Sequence, residues 1–170
     1  MKKLLLGIAA VCLAGFTFAQ DAPLWMRHSV ISPDGTTIAF TYKGDIYTVP
    51  VAGGRAMQIT TNPAYDTAPV WSPDSKRIAF ASDRMGSLDV YIVAKDGGEP
   101  RRLTTHSGSE TPLAFTDAGH VLFSAGIMPS AEAVVFPSNG QFNQVYRVSV
   151  EGGRPTMISS MPMECISINK

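Results

Sequence analysis

A chain of 170 residues that is 45% hydrophobic and 16% charged has the composition of a folded globular protein of one domain at most, neither disordered nor collagen-like. Its 14 Lys and Arg balance 14 Asp and Glu. No basic field is present to neutralise a phosphate backbone or to hold an anionic bilayer, so nucleic-acid binding and polybasic surface anchoring are excluded as first readings.

In chain order, Lys2-Lys3, the apolar run Leu4 to Phe18 and then Ala19-Gln20-Asp21 read as a secretory signal peptide over residues 1–19, cleaved after Ala19. Leu4 to Ala19 is 16 residues, short of the roughly 18 that a spanning helix requires, so stable membrane insertion is not expected. Cys12 follows Val11 rather than Gly or Ala, which argues against a lipoprotein cysteine. The expected destination is the bacterial periplasm. Cleavage removes Lys2 and Lys3 and leaves a small acidic excess, together with Cys165 as the single thiol, so no internal disulfide is expected.

Internal repeats follow at once. Ser32-Pro33-Asp34-Gly35 leads to Ile38-Ala39-Phe40, Gly44-Asp45-Ile46-Tyr47, Gly53-Gly54 and Gln58-Ile59-Thr60. A second copy runs Trp71-Ser72-Pro73-Asp74, Ile78-Ala79-Phe80, Asp89-Val90-Tyr91, Gly97-Gly98 and Arg102-Leu103-Thr104, offset by 40 residues at its start and 44 at its end. The third copy is more worn: Phe115-Thr116-Asp117-Ala118-Gly119, Val121-Leu122-Phe123, Gln144-Val145-Tyr146, Gly152-Gly153 and Met157-Ile158. Each unit holds four short runs of β-branched and aromatic residues parted by Pro-Asp-Gly, Asp/Gly and Gly-Gly turns, the pattern of successive antiparallel hairpins. In Arg77-Ile78-Ala79-Phe80-Ala81, large side chains alternate with small ones and neither face is polar, so the sheet must be covered on both sides.

Four strands per unit at this period predict an all-β chain of β-propeller blades, which cover one another around an axis. Residues 20–170 read as three four-stranded antiparallel meanders, at about 28–61, 66–105 and 110–159, with 163–170 as the start of a fourth. Because propellers close with roughly four to eight blades, the expectation is an incomplete six- or seven-bladed propeller and an N-terminal fragment. Alone, it would expose the outer faces of its first and third blades.

Ile31-Ser32-Pro33-Asp34-Gly35 through Phe40, Trp71 through Arg84, and Gly98-Glu99-Pro100-Arg101-Arg102-Leu103-Thr104 resemble the WD40-like propeller repeats of the TolB and tricorn protease families, over residues 24 to 168. Pro23-Leu24-Trp25-Met26-Arg27 and Thr60-Thr61-Asn62-Pro63-Ala64-Tyr65-Asp66 look more narrowly like the opening of exported bacterial tricorn-like proteins. The resemblance implies a PDZ domain and an S41 serine peptidase domain further along a parent chain. It implies no catalytic residue here, and the residues agree: no G-x-S-x-G, H-E-x-x-H, P-loop, G-x-G-x-x-G or EF-hand loop is written in them. No cofactor and no metal are expected. The expected partners are peptide or protein segments and the C-terminal domains of the same parent chain. The alternatives are a TolB-like periplasmic interaction propeller and a structural homo-oligomer of three-bladed chains.

In strands a to d of such a meander, the d-to-a links and b-to-c loops emerge on one face and the Pro-Asp and Gly-Gly turns on the other. The first face gathers 61–68, 105–112 and the long connection 125–142, and loops of this kind carry function. Its candidate binding residues are Asn62, Asp66, His106 and Glu110, repeated 44 residues apart, with Met128 and Phe136 in the long connection. The acids suit a peptide amine or a cation, or else the backbone N–H groups of the links. The long connection either receives a neighbouring domain or peptide or folds back on its own blade. Trp71 is expected to fill space between blades, and Asp83-Arg84 to form a local surface pair or turn bond. Met157, Met161 and Met163 read as core filler, and His28 and His120 as solvated or packed strand-end residues.

Overall fold

The computed structural model describes residues 25–126 and 143–159. The leader, Met128, Phe136, nearly all of the 125–142 connection and the 163–170 strand lie outside the described residues, as do Met161, Met163 and Cys165.

Twelve strands form three separate four-stranded sheets, each an antiparallel meander in chain order, and no helix occurs among the described residues. The first contains β1 (Arg27–Ile31), β2 (Thr37–Tyr42), β3 (Asp45–Pro50) and β4 (Met57–Gln58). The second contains β5 (Asp66–Trp71), β6 (Arg77–Ser82), β7 (Asp89–Ala94) and β8 (Arg101–Arg102). The third contains β9 (Glu110–Asp117), β10 (His120–Ala125), β11 (Gln144–Ser149) and β12 (Thr156–Ser159). Contacts join β1 to β5 and β5 to β9, so the first strands of the three sheets are neighbours. The architecture is that of propeller blades.

The β1–β2 connections show why the Pro-Asp sequences turn the chain. Ser32 Oγ donates to Asp34 Oδ1 at 2.6 Å and accepts from Thr37 N at 3.0 Å, while the same Asp34 oxygen accepts from Thr36 N at 3.0 Å. Ser72, Asp74, Lys76 and Arg77 repeat this set in the second sheet. These donors, the serine hydroxyls foremost, hold the Asp34 and Asp74 carboxyls below their usual range. The worn third turn keeps one part of the device, with Asp117 Oδ1 accepting from Gly119 N at 2.6 Å. Gly35 has φ +72° in the first turn, and Ser75 takes the same left-handed region at φ 57° in the second, where its Oγ accepts from Asp34 N at 3.1 Å across the blades.

Packing follows the large-and-small alternation. Ala39 and Ile46 of the first sheet meet Trp71, Ile78, Phe80, Tyr91 and Val93 of the second in one buried cluster. The other face of the second sheet sends Ala79, Val90 and Ile92 against Phe115, Val121, Phe123 and Val148 of the third. Trp71 fills the first junction as expected, and its Nε1 donates to Val30 O at 3.2 Å. Each blade repeats a stacked aromatic pair across its middle strands: Phe40–Tyr47, Phe80–Tyr91 and Phe123–Tyr146, with ring centroids 5.6 to 6.0 Å apart. Met157 departs from expectation. It lies on β12, the outermost strand of its sheet, and is exposed, so it fills no core among the described residues.

Candidate binding face

The predicted gathering of loops is held by backbone bonds at equivalent places. Asp66 N donates to Gly44 O and Glu110 N donates to Leu88 O, each at 2.7 Å, so each inner strand begins against the β-turn or loop of the preceding blade. Just before them, Asn62 Oδ1 accepts from Ala64 N and His106 Nδ1 accepts from Gly108 N, both at 3.0 Å. Both side chains are exposed and shape their own links. Asp66 and Glu110, by contrast, are fully buried at the junctions between blades. The structure thus brings Asn62 and Asp66 to one link and His106 and Glu110 to the next.

At the first junction, Arg84 Nη2 lies 3.1 Å from both carboxylate oxygens of Asp66, and Arg84 Nε donates to Ser82 Oγ at 2.8 Å. The guanidinium also lies over Tyr91, 4.5 Å from the ring centroid. Of the expected local pair or turn bond at Asp83-Arg84, the turn bond forms, Gly86 N donating to Asp83 O at 2.8 Å, whereas the pair does not. A buried carboxylate attracts the cation more strongly than a solvated neighbour does, and Asp83 Oδ1 instead accepts from Tyr65 N at 2.7 Å. Asp45 completes the group: its Oδ2 accepts from Gln58 Nε2 and its Oδ1 from Thr60 Oγ1, and burial raises its carboxyl above the ordinary value.

The second junction repeats the acids with a different balance. Asp89 stands where Asp45 does, Thr104 where Thr60 does, and Arg102 where Gln58 does, each 44 residues later. Arg102 Nη2 is 2.8 Å from Asp89 Oδ2, an ion pair that lacks hydrogen-bond alignment. Two fully buried carboxyls therefore lie near one guanidinium, which pairs with Asp89 alone, and Glu110 Oε2 has no hydrogen-bond partner. Burial pushes the Glu110 carboxyl up to about 7, with the Asp89 charge acting in the same direction and the Thr104 hydroxyl and Arg102 opposing. The group can hold or release a proton near neutrality. Among the described residues, no three His, Cys, Asp or Glu side chains are placed to hold a metal ion.

Arg84, Asp89 and Arg102 were not among the residues expected at this face. The 44-residue recurrence of Asp45 and Asp89 and of Thr60 and Thr104 carried a signal for the acids and their hydroxyl partners. Arg84 carried none, because its link to Asp66 crosses between strands without a sequence spacing that marks it. Recesses accompany the junctions, among them one of about 260 Å3 beside Thr60, Asn62 and Arg84 and two larger ones. One, of about 490 Å3, lies along the inner strands and is lined by Val30, Val70, Trp71, Leu113 and Phe115 among others. The other, of about 400 Å3, opens on the loop-bearing face beside Lys43, Gly44 and Tyr65.

A sequence model of the tricorn protease N-terminal β-propeller domain matches residues 23–170. The chain belongs to that family. Tricorn protease homolog 1 of Streptomyces coelicolor is 35% identical over 102 residues, 59% of this chain and 9% of that protein. The Tol-Pal system protein TolB of Bordetella pertussis is 44% identical over 55 residues, 32% of this chain and 13% of that protein. The crystal structure of TolB from Acinetobacter baumannii superposes with a TM-score of 0.63 at 21% identity, covering 80% of this chain and 33% of that one, a likeness that shows the fold alone. This member of the tricorn propeller family therefore spans well under half the length of each of these relatives.

Proposed function

We propose that the chain is the non-catalytic propeller portion of an exported tricorn-like serine peptidase, in which it binds, gates or orients peptide substrates for an S41-type domain of the same parent protein. The family match over residues 23–170 carries this reading. The match to a tricorn protease homolog, of which this chain covers only a small part, supports a parent with further domains. The loop-bearing face supports the peptide-capture part of the reading, with polar links at each junction and a recess beside Lys43, Gly44 and Tyr65. The leader-like residues 1–19 and the TolB relative support export.

The identity to TolB over 55 residues favours a second reading, a periplasmic propeller that docks peptide segments of envelope proteins without cleaving them. Peptidase assays on the intact protein separate the two. Under the first reading, alanine in place of the presumed S41 serine abolishes peptide hydrolysis while peptide binding persists. Hydrolysis that survives that change contradicts it, and binding with no hydrolysis in the unaltered protein supports the second.

A further inference from the structure

The recess beside Tyr65 is built from Trp25, Arg27, Thr41, Lys43, Gly44 and Tyr65. Its cations come from two separate places, Arg27 on β1 and Lys43 in the β2–β3 turn. Both are exposed, and neither takes part in an ion pair among the described residues. Each instead rests on an aromatic ring, Arg27 5.7 Å from the Trp25 centroid and Lys43 5.3 Å from that of Tyr42. The neighbouring acids are engaged elsewhere: Asp45 with Gln58 and Thr60, Asp83 with Tyr65 N. Arriving carboxylates therefore displace water and break no existing pair.

The floor and walls suit the rest of a peptide. Thr41, 2% exposed, closes the floor of the recess. Trp25 is 69% exposed and Tyr65 43%, which leaves two large rings free to cover an apolar side chain. Gly44, at φ +91°, turns the chain where the Tyr65 ring lies: a Cβ there would stand 3.6 Å from Tyr65 Cδ2.

We propose that this recess is a subsite for an acidic peptide segment, with two side-chain carboxylates on Arg27 and Lys43 and an aromatic or aliphatic side chain on Trp25 and Tyr65. Two cations on separate elements suit two acidic side chains better than one terminal carboxylate. The proposal rests on the peptide-capture reading above and names the class of segment captured.

The test is fluorescence anisotropy on the intact protein. The probes are a fluorescein-labelled, C-terminally amidated Gly/Ser peptide carrying two glutamates and a phenylalanine, the same peptide with glutamines in place of glutamate, and the glutamine peptide with a free C-terminal carboxylate. The glutamate peptide should bind about tenfold more tightly than its amidated glutamine counterpart, with the difference shrinking as salt rises. The double variant Arg27→Gln/Lys43→Gln should erase that preference and leave glutamine-peptide affinity unchanged, whereas Lys95→Gln, an exposed change paired only to Asp96, should preserve it. Trp25→Ala should weaken both amidated peptides. An unaltered preference in the double variant overturns the subsite while leaving peptide capture intact. Selective binding of the free-carboxylate peptide also overturns it, by assigning the recess to a chain terminus. Binding of no peptide at all overturns both the subsite and the capture reading.

Discussion

Asp66 and Arg84 show at the level of single residues how a charge is kept inside this fold. The Asp66 side chain is fully buried and Arg84 is 11% exposed, so the pair is largely withdrawn from water. Removing the cation alone leaves an uncompensated buried carboxylate, a change that costs about 3–5 kcal/mol. Arg84→Met should therefore lower the urea midpoint steeply, and Asp66→Asn combined with Arg84→Met should recover much of the loss. Equal destabilisation in single and double variants would show that Arg84 acts through its packing on Tyr91 instead. Glu110 predicts a pH effect. Its carboxyl is raised from 4.5 to about 7, so the folded chain holds this proton more tightly than the unfolded one. That contribution is complete below the ordinary carboxyl range and is lost as pH rises through about 7. Urea midpoints should fall between about pH 5 and pH 8 in the native sequence and fall less in Glu110→Gln, because an amide does not titrate. Identical pH profiles for the two would contradict the assignment. The sequence marked Asp66 and Glu110 by their repetition, yet it could not show them buried, because burial there depends on the blade that packs over each inner strand.

Individual strands were legible because their side chains follow period two between strong turn signals. Ile78 and Phe80 face one neighbour and Ala79 the other, as the alternation of sizes requires of a sheet covered on both sides. Bulges were not legible. Pairing slips between Arg27 and Val30 and between Thr67 and Val70, where His28 and Ala68 both take φ 51°. Ala68 does not advertise the left-handed region, and a single His28 at a strand start does not mark a bulge, so the irregularity shows only once strands are paired. Met157 misled for a related reason: an apolar residue on an outermost strand has the same pattern as one on a covered strand. Trp71 is the element-scale test of blade packing. It closes the first junction and hydrogen-bonds the backbone of β1. Trp71→Ala should cost about 3–5 kcal/mol by chemical denaturation, through lost burial and the cavity left behind. A loss below about 1 kcal/mol would mean that the junction collapses around the change or contributes little to stability.

For the whole molecule, stability is distributed among neighbouring blades. Besides the two buried clusters, Ser75 Oγ accepts from Asp34 N between the first and second sheets, and Arg77 donates to Ala118 O and Arg101 to Val150 O between the second and third. This near-neighbour arrangement is what a repeat at 40 to 44 residues encodes, so the architecture was readable from the sequence before any family match. Function was less readable, because a propeller is a scaffold on which unrelated activities are built. On the proposed reading, the loop-bearing face and its basic aromatic recess use that scaffold to hold peptides. The central claim is that this surface serves a larger peptidase, and the size of the native protein tests it most directly. Cell-envelope fractions should be immunoblotted with an antibody raised against residues 25–126. The account predicts a band several-fold heavier than the 18.2 kDa of this chain, absent when its gene is deleted. A gene-dependent band at or below 18.2 kDa alone would contradict it.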